Sequence, residues 1–305
     1  MSRCSRQDCV LEDSTTMNHE RCRFRPPSSA FAVLALVACN RAPTCGLDLP
    51  APGTWAVWAP GLELGRFAAP EKSIEGDSLI TVLRVDPTMW SLELHAQILG
   101  EADVARTAHQ WGEQLGLVAA TNAGMFTADH LHHAGAMWVD GQQIGQANEQ
   151  YDSVAVAGPL RAGLTPFALL DRDDPSFPGL EKLAEDYRYG VQNLRLIKRP
   201  GENRWEEQPR IWSEAALAED DEGRALFVFV RSPYSMHDLN QALLGLDLDI
   251  EAAQHLEGGP PAQLWARVGE QGFHGIGYFE TGVRRWPWQR EEWPLPLVWG
   301  VRAPE

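Results

Sequence analysis

Beyond residue 45 this 305-residue sequence has no cysteine; Cys4, Cys9, Cys22, Cys39 and Cys45 are all near its start. That excludes a disulfide framework, a thiolate metal site and a cysteine nucleophile from the body of the chain. Basic residues are scarce as well: 26 Lys and Arg stand against 42 Asp and Glu, a formal net charge of −16. Such a field repels polyanions, so nucleic acid and an anionic membrane surface are excluded as partners. There is no internal repeat and no low-complexity block. What the chain has in surplus is tryptophan, twelve in all. Surplus indoles pack cores or line sugar-binding clefts, and composition leaves both uses open.

The apolar run AFAVLALVA, Ala30 to Ala38, is too short for a bilayer-spanning helix, which takes about 20 residues. Preceded by Arg21, Arg23 and Arg25, it fits the apolar stretch of an export signal. Its end, LVAC, resembles a bacterial lipobox, which makes Cys39 the expected site of lipidation. The expected organisation is a lipoprotein-type signal peptide over 1–38, a tether over 39–60 and one domain over 61–305. The chain is expected outside the cytoplasm, in the cell envelope, held to a membrane through Cys39.

Past the tether, LITVLRV (79–85) and SLELHAQIL (91–99) alternate in polarity and predict a hairpin around DPTMW. A helix is expected over 103–115, capped by Asp103 and stopped by Gly116. AMWVDGQQIG reads as a hairpin whose DG makes the turn, with Asp140 structural. Short strands follow at 153–157 and 167–170, then an acidic surface excursion over 171–189 and a strand over 189–201. A short strand at 215–217, a firm one over 225–230, a helix from Ser235 to Leu246 and a last strand at 295–303 complete the reading. Ser235 and Asp238 are spaced for a capping box. The fold class is α+β, a mostly antiparallel or mixed β-sheet with a few packed helices.

Four loops are more polar or glycine-rich than a core requires. In TNAGMF, Asn122 ends a buried strand and Gly124 permits a tight backbone; the amide either faces a ligand or satisfies a turn. DHLHH, Asp129 to His133, offers three imidazoles, but without the spacing of a helical metal motif it reads as a polar loop that brings His133 near the cleft. The third loop carries Gln192 and Arg210, the latter a planar fork suited to phosphate or simply a surface charge. The last, HLEGGPPAQL, sets Glu257 before two glycines and two prolines. It is either an acid held at a cleft with the Gly258 and Gly259 N–H groups beside it, or a bulge with a solvated acid.

In this order, ATNAGMF, AGAMWVDGQQIG, VQNLRLI, PRIWSEAAL, GRALFVFV and HLEGGPPAQL resemble the phosphodiester glycosidase family, over roughly 79–301. Glu257 stands where many relatives have Asp, and Pro260–Pro261 replace a small Gly/Ser pair. The resemblance implies cleavage of a sugar-1-phosphodiester at the anomeric carbon. It implies Glu257, Arg210 and Asn122 as catalytic residues, with Gln192, Gly124, Gly258, Gly259 and His133 at the substrate. No cofactor is expected; a divalent cation, calcium for instance, is left open. The expected partner is a carbohydrate or sugar phosphodiester. The alternatives are a lipoprotein of the same fold that binds glycan without cutting it, and a metal-dependent phosphoesterase using the histidine loop.

Overall fold

The strand Ala225–Tyr234 is apolar along almost its whole length, which suits a strand covered on both faces. Ala225, Phe227 and Phe229 enter one core and Leu226, Val228 and Val230 another. This strand lies inside a ten-stranded sheet between Leu79–Val85 and Trp212–Asp220. Trp212–Asp220 in turn pairs with Ile250–Gly258, and that strand with Arg195–Lys198. Two five-stranded sheets complete the architecture of the described residues. One centres on Tyr187–Asn193 and the other on Ala119–Asn122. The first core takes side chains from all three sheets; each buried leucine or phenylalanine there contributes about 1.5–3 kcal/mol.

The computed structural model describes residues 49–100, 105–284, 288 and 291–304. The expected signal peptide and Cys39 lie outside the described residues, and so does Asp103. Residues 46–305 form one compact unit. The expected tether runs too far, because Thr54–Ala59 is a strand paired with Leu62–Ala68 in the large sheet.

Helices are few. Ala108–Leu115 starts later than expected, at Thr107, whose hydroxyl accepts the Gln110 N–H while the Gln110 side chain accepts the Thr107 N–H. Gly116 ends it in the left-handed conformation, as expected. Its Ala108 and Trp111 pack on Trp265, Leu295 and Val298. Met236–Leu244 is capped by Ser235, but Asp238 accepts from the Ser235 hydroxyl rather than from a backbone N–H. A third helix, Leu180–Asp186, sits inside the expected surface excursion. Its N-cap, Gly179, makes no side-chain cap bond, and Leu183 is its apolar anchor, so little marks it in the sequence.

Every strand pairing among the described residues is antiparallel, so the mixed-sheet possibility is not realised. The DG hairpin forms as expected, with Asp140 and Gly141 both at positive φ, 49° and 78°, the turn that matches strand twist. The other expected hairpin does not form. Leu79–Val85 stays in the large sheet, while Ser91–Ala96 crosses to another and pairs with Leu297–Arg302. Residues 189–201 likewise divide. Tyr187–Asn193 belongs to one sheet, Arg195–Lys198 to another, and only Leu194 separates them.

Candidate active site

A charged side chain in the middle of an apolar strand needs a partner or a purpose. Glu214 is such a residue: it is wholly buried in Trp212–Asp220. Its Oε1 lies 2.6 Å from Nδ1 of buried His255, and its Oε2 accepts the Trp212 indole N–H at 2.7 Å. Burial opposes charge on His255, but the Glu214 carboxylate outweighs it and raises the imidazole above its ordinary range. With Nδ1 committed to Glu214, Nε2 is the ring nitrogen left for a ligand.

Glu257 lies two residues further along the same strand. A β-bulge at Leu256 sets His255 and Glu257 opposite the successive residues Ala216 and Ala215. Burial pushes the Glu257 carboxyl up to about 7, opposed by His255 and by the Gly258 N–H and reinforced by the charges of Glu214 and Glu280. Burial, and after it the Glu257 charge, also push the Tyr151 phenol up. Three carboxylates, one imidazole and one phenol are therefore electrostatically coupled. Trp205 and Trp212 flank the imidazole, with ring centroids 6.5 and 6.3 Å from it.

The glycines after Glu257 explain how this packing is reached, and they correct one expectation. A Cβ on Gly258 would stand 2.5 Å from the Trp212 ring, so only glycine lets the strand pass there. Gly259 has φ of 72° and lies against Glu280. Their N–H groups are not offered to a ligand. Gly258 donates to Glu257 Oε1 at 3.0 Å, and Gly259 donates to the Ser213 carbonyl at 2.8 Å.

The amides singled out in the sequence are likewise closed. Asn122 donates to the Pro261 carbonyl at 3.0 Å and accepts from the Gln263 N–H at 2.8 Å. It clamps the loop that follows Glu257. Gln192 donates to the carbonyls of Asn148 and Tyr151 and accepts from the N–H groups of Ala136 and Asn148. It thereby fixes the segment bearing Tyr151. Both are wholly buried, and their role here is to hold backbone rather than to meet a substrate.

His133 is also buried, with Nδ1 2.9 Å from the Met125 carbonyl and Nε2 2.8 Å from that of Gln192. The other two imidazoles of its loop go elsewhere, His132 to Asp129 at 2.8 Å and His130 against the Phe126 ring. Among the described residues no group of three His, Cys, Asp or Glu is spaced to hold a metal ion. Gly124 packs beneath His133; a Cβ there would meet its ring at 2.8 Å and Asn193 Oδ1 at 2.2 Å.

Arg210 is mostly exposed, 3.5 Å from Glu280 and 5.8 Å from the Trp212 ring centroid. It stands at the rim, connected to Glu257 through Glu280. Glu214, His255, Glu280, Tyr151 and Trp212 are absent from the sequence-derived set. Two of them carried a legible signal. A glutamate between Ser213 and Ala215, and a histidine two residues before the framed acid, are ionisable residues within strand segments that are otherwise rich in alanine and leucine.

Residues 115–302 match the phosphodiester glycosidase family. No curated protein matches the sequence significantly. Among solved structures, the fold is similar to the zebrafish N-acetylglucosamine-1-phosphodiester alpha-N-acetylglucosaminidase catalytic domain auto-inhibited by its pro-peptide. The TM-score is 0.57 at 15% identity, over 81% of this chain and 85% of that one. A hypothetical protein from Synechocystis is similar at a TM-score of 0.52 and 14% identity, over 84% of this chain and 64% of that one. The structural likeness establishes the fold, and the family match spans the segments carrying the clamps, the coupled acids and the imidazole: the chain belongs to the phosphodiester glycosidase family.

Proposed function

We propose that this chain hydrolyses a sugar-1-phosphodiester, breaking the bond between the anomeric carbon and the bridging oxygen. The reading rests on one observation above all, Glu257 held two residues beyond His255 on one strand, beside the buried Glu214–His255 pair. Water attacks the anomeric carbon, and Glu257 takes its proton; a base with pKa near the working pH is suited to that step. The bond electrons leave with oxygen on a phosphate monoester. His255, kept charged by Glu214, and Arg210 at the rim stabilise that departing anion. A phosphate leaving group needs less protonation than an alkoxide, so one well-placed base and two cations suffice. Asn122 and Gln192 serve the reaction indirectly, by fixing the loops of Glu257 and Tyr151. On this proposal the enzyme works in the cell envelope, after export directed by residues 1–38 and lipidation at Cys39.

The test is incubation of the purified protein with an α-N-acetylglucosamine-1-phosphodiester, with and without chelator, following release of free sugar. Release that chelator leaves unchanged supports the proposal. Binding without release points to a glycan-binding protein, and loss of turnover on chelation points to a metal-dependent phosphoesterase.

A further inference from the structure

Glu280 takes no proton in the hydrolysis and holds no imidazole, yet it stands beside the groups that do. Along one edge of Trp212–Asp220, Glu257 is opposite Ala215 and Gly258 opposite Glu214. Where that strand leaves the edge, the two-residue strand Phe279–Glu280 takes its place, with Glu280 opposite Trp212. The turn at Gly259 runs directly under it, since a Cβ there would meet the Glu280 carboxylate at 3.1 Å.

The backbone carrying Glu280 is held on both sides. Before it, the N–H groups of Tyr278 and Phe279 both donate to Ser213 Oγ at 3.2 Å. After it, the Thr281 N–H donates to the Ile211 carbonyl at 3.0 Å, and the Ile211 N–H donates to Thr281 Oγ1 at 2.9 Å. The carboxylate so placed lies 3.5 Å from Arg210, a loose ion pair rather than a close hydrogen bond. An anion gripped by Arg210 therefore comes within a few ångströms of Glu280, and each unit of its charge is opposed separately. Three carboxylates, Glu214, Glu257 and Glu280, stand against two cations, His255 and Arg210.

The charge of the phosphate changes in the reaction. A phosphodiester carries one negative charge. Water adds its hydroxyl to the anomeric carbon, the bridging oxygen leaves on phosphorus, and the phosphate becomes a monoester that is mostly doubly charged above about pH 6.

We propose that Glu280 is a specificity-determining residue that filters phosphates by charge. It admits the singly charged diester and opposes doubly charged monoesters, both a sugar 1-phosphate competing as substrate and the monoester released as product. The proposal rests on the hydrolytic reading above, which places the phosphate at Arg210.

One unit charge about 4 Å from another in water is worth about fivefold in affinity, and a doubled charge about 25-fold. The experiment titrates dimethyl phosphate and methyl phosphate, singly and doubly charged at pH 8, calorimetrically against the full chain and Glu280→Gln. The variant should bind dimethyl phosphate about fivefold and methyl phosphate about 25-fold more tightly than wild type. Glu280→Asp keeps the charge and should match wild type within about twofold on both. Glu280→Ala replaces the glutamine variant if that one does not fold. Equal gains on the two phosphates, or none, overturn the filter, because a merely structural role moves both alike. In turnover, the ratio of kcat/KM on the methyl N-acetylglucosamine-1-phosphodiester to that on N-acetylglucosamine 1-phosphate should fall about fivefold in Glu280→Gln. An unchanged ratio also overturns the filter. Charge-dependent binding without cleavage of any ester leaves the filter standing and sinks the hydrolytic reading. Cleavage of the diester without charge-dependent binding does the reverse, and neither binding nor cleavage overturns both.

Discussion

Two polar neighbourhoods meet at the strand end of Glu257, and they differ in what their hydrogen bonds reach. Asn122 and Gln192 have both ends of their amides closed by main-chain groups. Glu257 and His255 each face other titratable groups, with one side chain near neutrality and one ring nitrogen uncommitted to Glu214. Burial alone does not separate them, since Asn122, Gln192 and His255 are all buried. Residual capacity does. A polar side chain whose donors and acceptors all end on backbone fixes a loop; one whose protonation is contested by its neighbours can move a proton.

The strongest way to break that comparison is Glu257→Gln, expected to lower kcat by about 10²–10⁴-fold. The same variant carries a stability signature. The fold raises this carboxyl above its ordinary value of 4.5, so the protonated form stabilises the protein at acid pH. That contribution is fully present below about 4.5 and is lost as pH rises through about 7. Glutamine stays neutral, so at pH 8 the variant should unfold at higher denaturant than wild type, by about 1–2 kcal/mol, and the gap should close near pH 4. Equal stabilities at both pH values would remove Glu257 from the contested group.

Next in size is Glu214→Gln, which leaves His255 without its counter-charge. Turnover should fall by about 10²-fold. In wild type the rate should rise through about pH 7 as Glu257 ionises and decline where His255 loses its proton. The alkaline decline should move to lower pH in the variant, a shift read from the kcat/KM profile. Asn122→Ala sharpens the contrast from the other side. It orphans the Pro261 carbonyl and the Gln263 N–H, so denaturation should show a loss of about 2–4 kcal/mol. Its pH profile should keep the wild-type shape, because no titrating partner is removed. The smallest effect belongs to Arg210→Ala at the exposed rim. Because Arg210 acts on the departing phosphate, kcat and kcat/KM should fall together by about three- to tenfold, with the thermal midpoint unchanged.

The same distinction explains what the sequence disclosed. Local signals held: the DG turn, the Ser235 cap, the Gly116 stop and the continuous apolar strand at 225–230 all formed. Partnership between distant segments did not follow from them. The strand at 79–85 has the alternation of a hairpin arm, yet its neighbours come from 62–68 and 225–234. In the site, glycines and prolines drew attention to Glu257. Glu214 sits amid alanines with no loop chemistry around it, and only the pairing of 212–220 with 250–258 reveals its imidazole. Asn122 was conspicuous as an amide ending a buried strand, whereas Gln192 drew attention as part of a polar loop and through the family resemblance. Sequence carries no sign of whether such an amide looks outward or grips the main chain.

Leu194 gives this arrangement a mechanical side. It is the single joint between Tyr187–Asn193 and Arg195–Lys198, and its carbonyl is what the backbone of His255 hangs from. Slippage between the two sheets on warming would tug on the imidazole before either sheet lost a strand. Turnover of the proposed substrate should therefore be lost at temperatures where circular dichroism still records an intact fold.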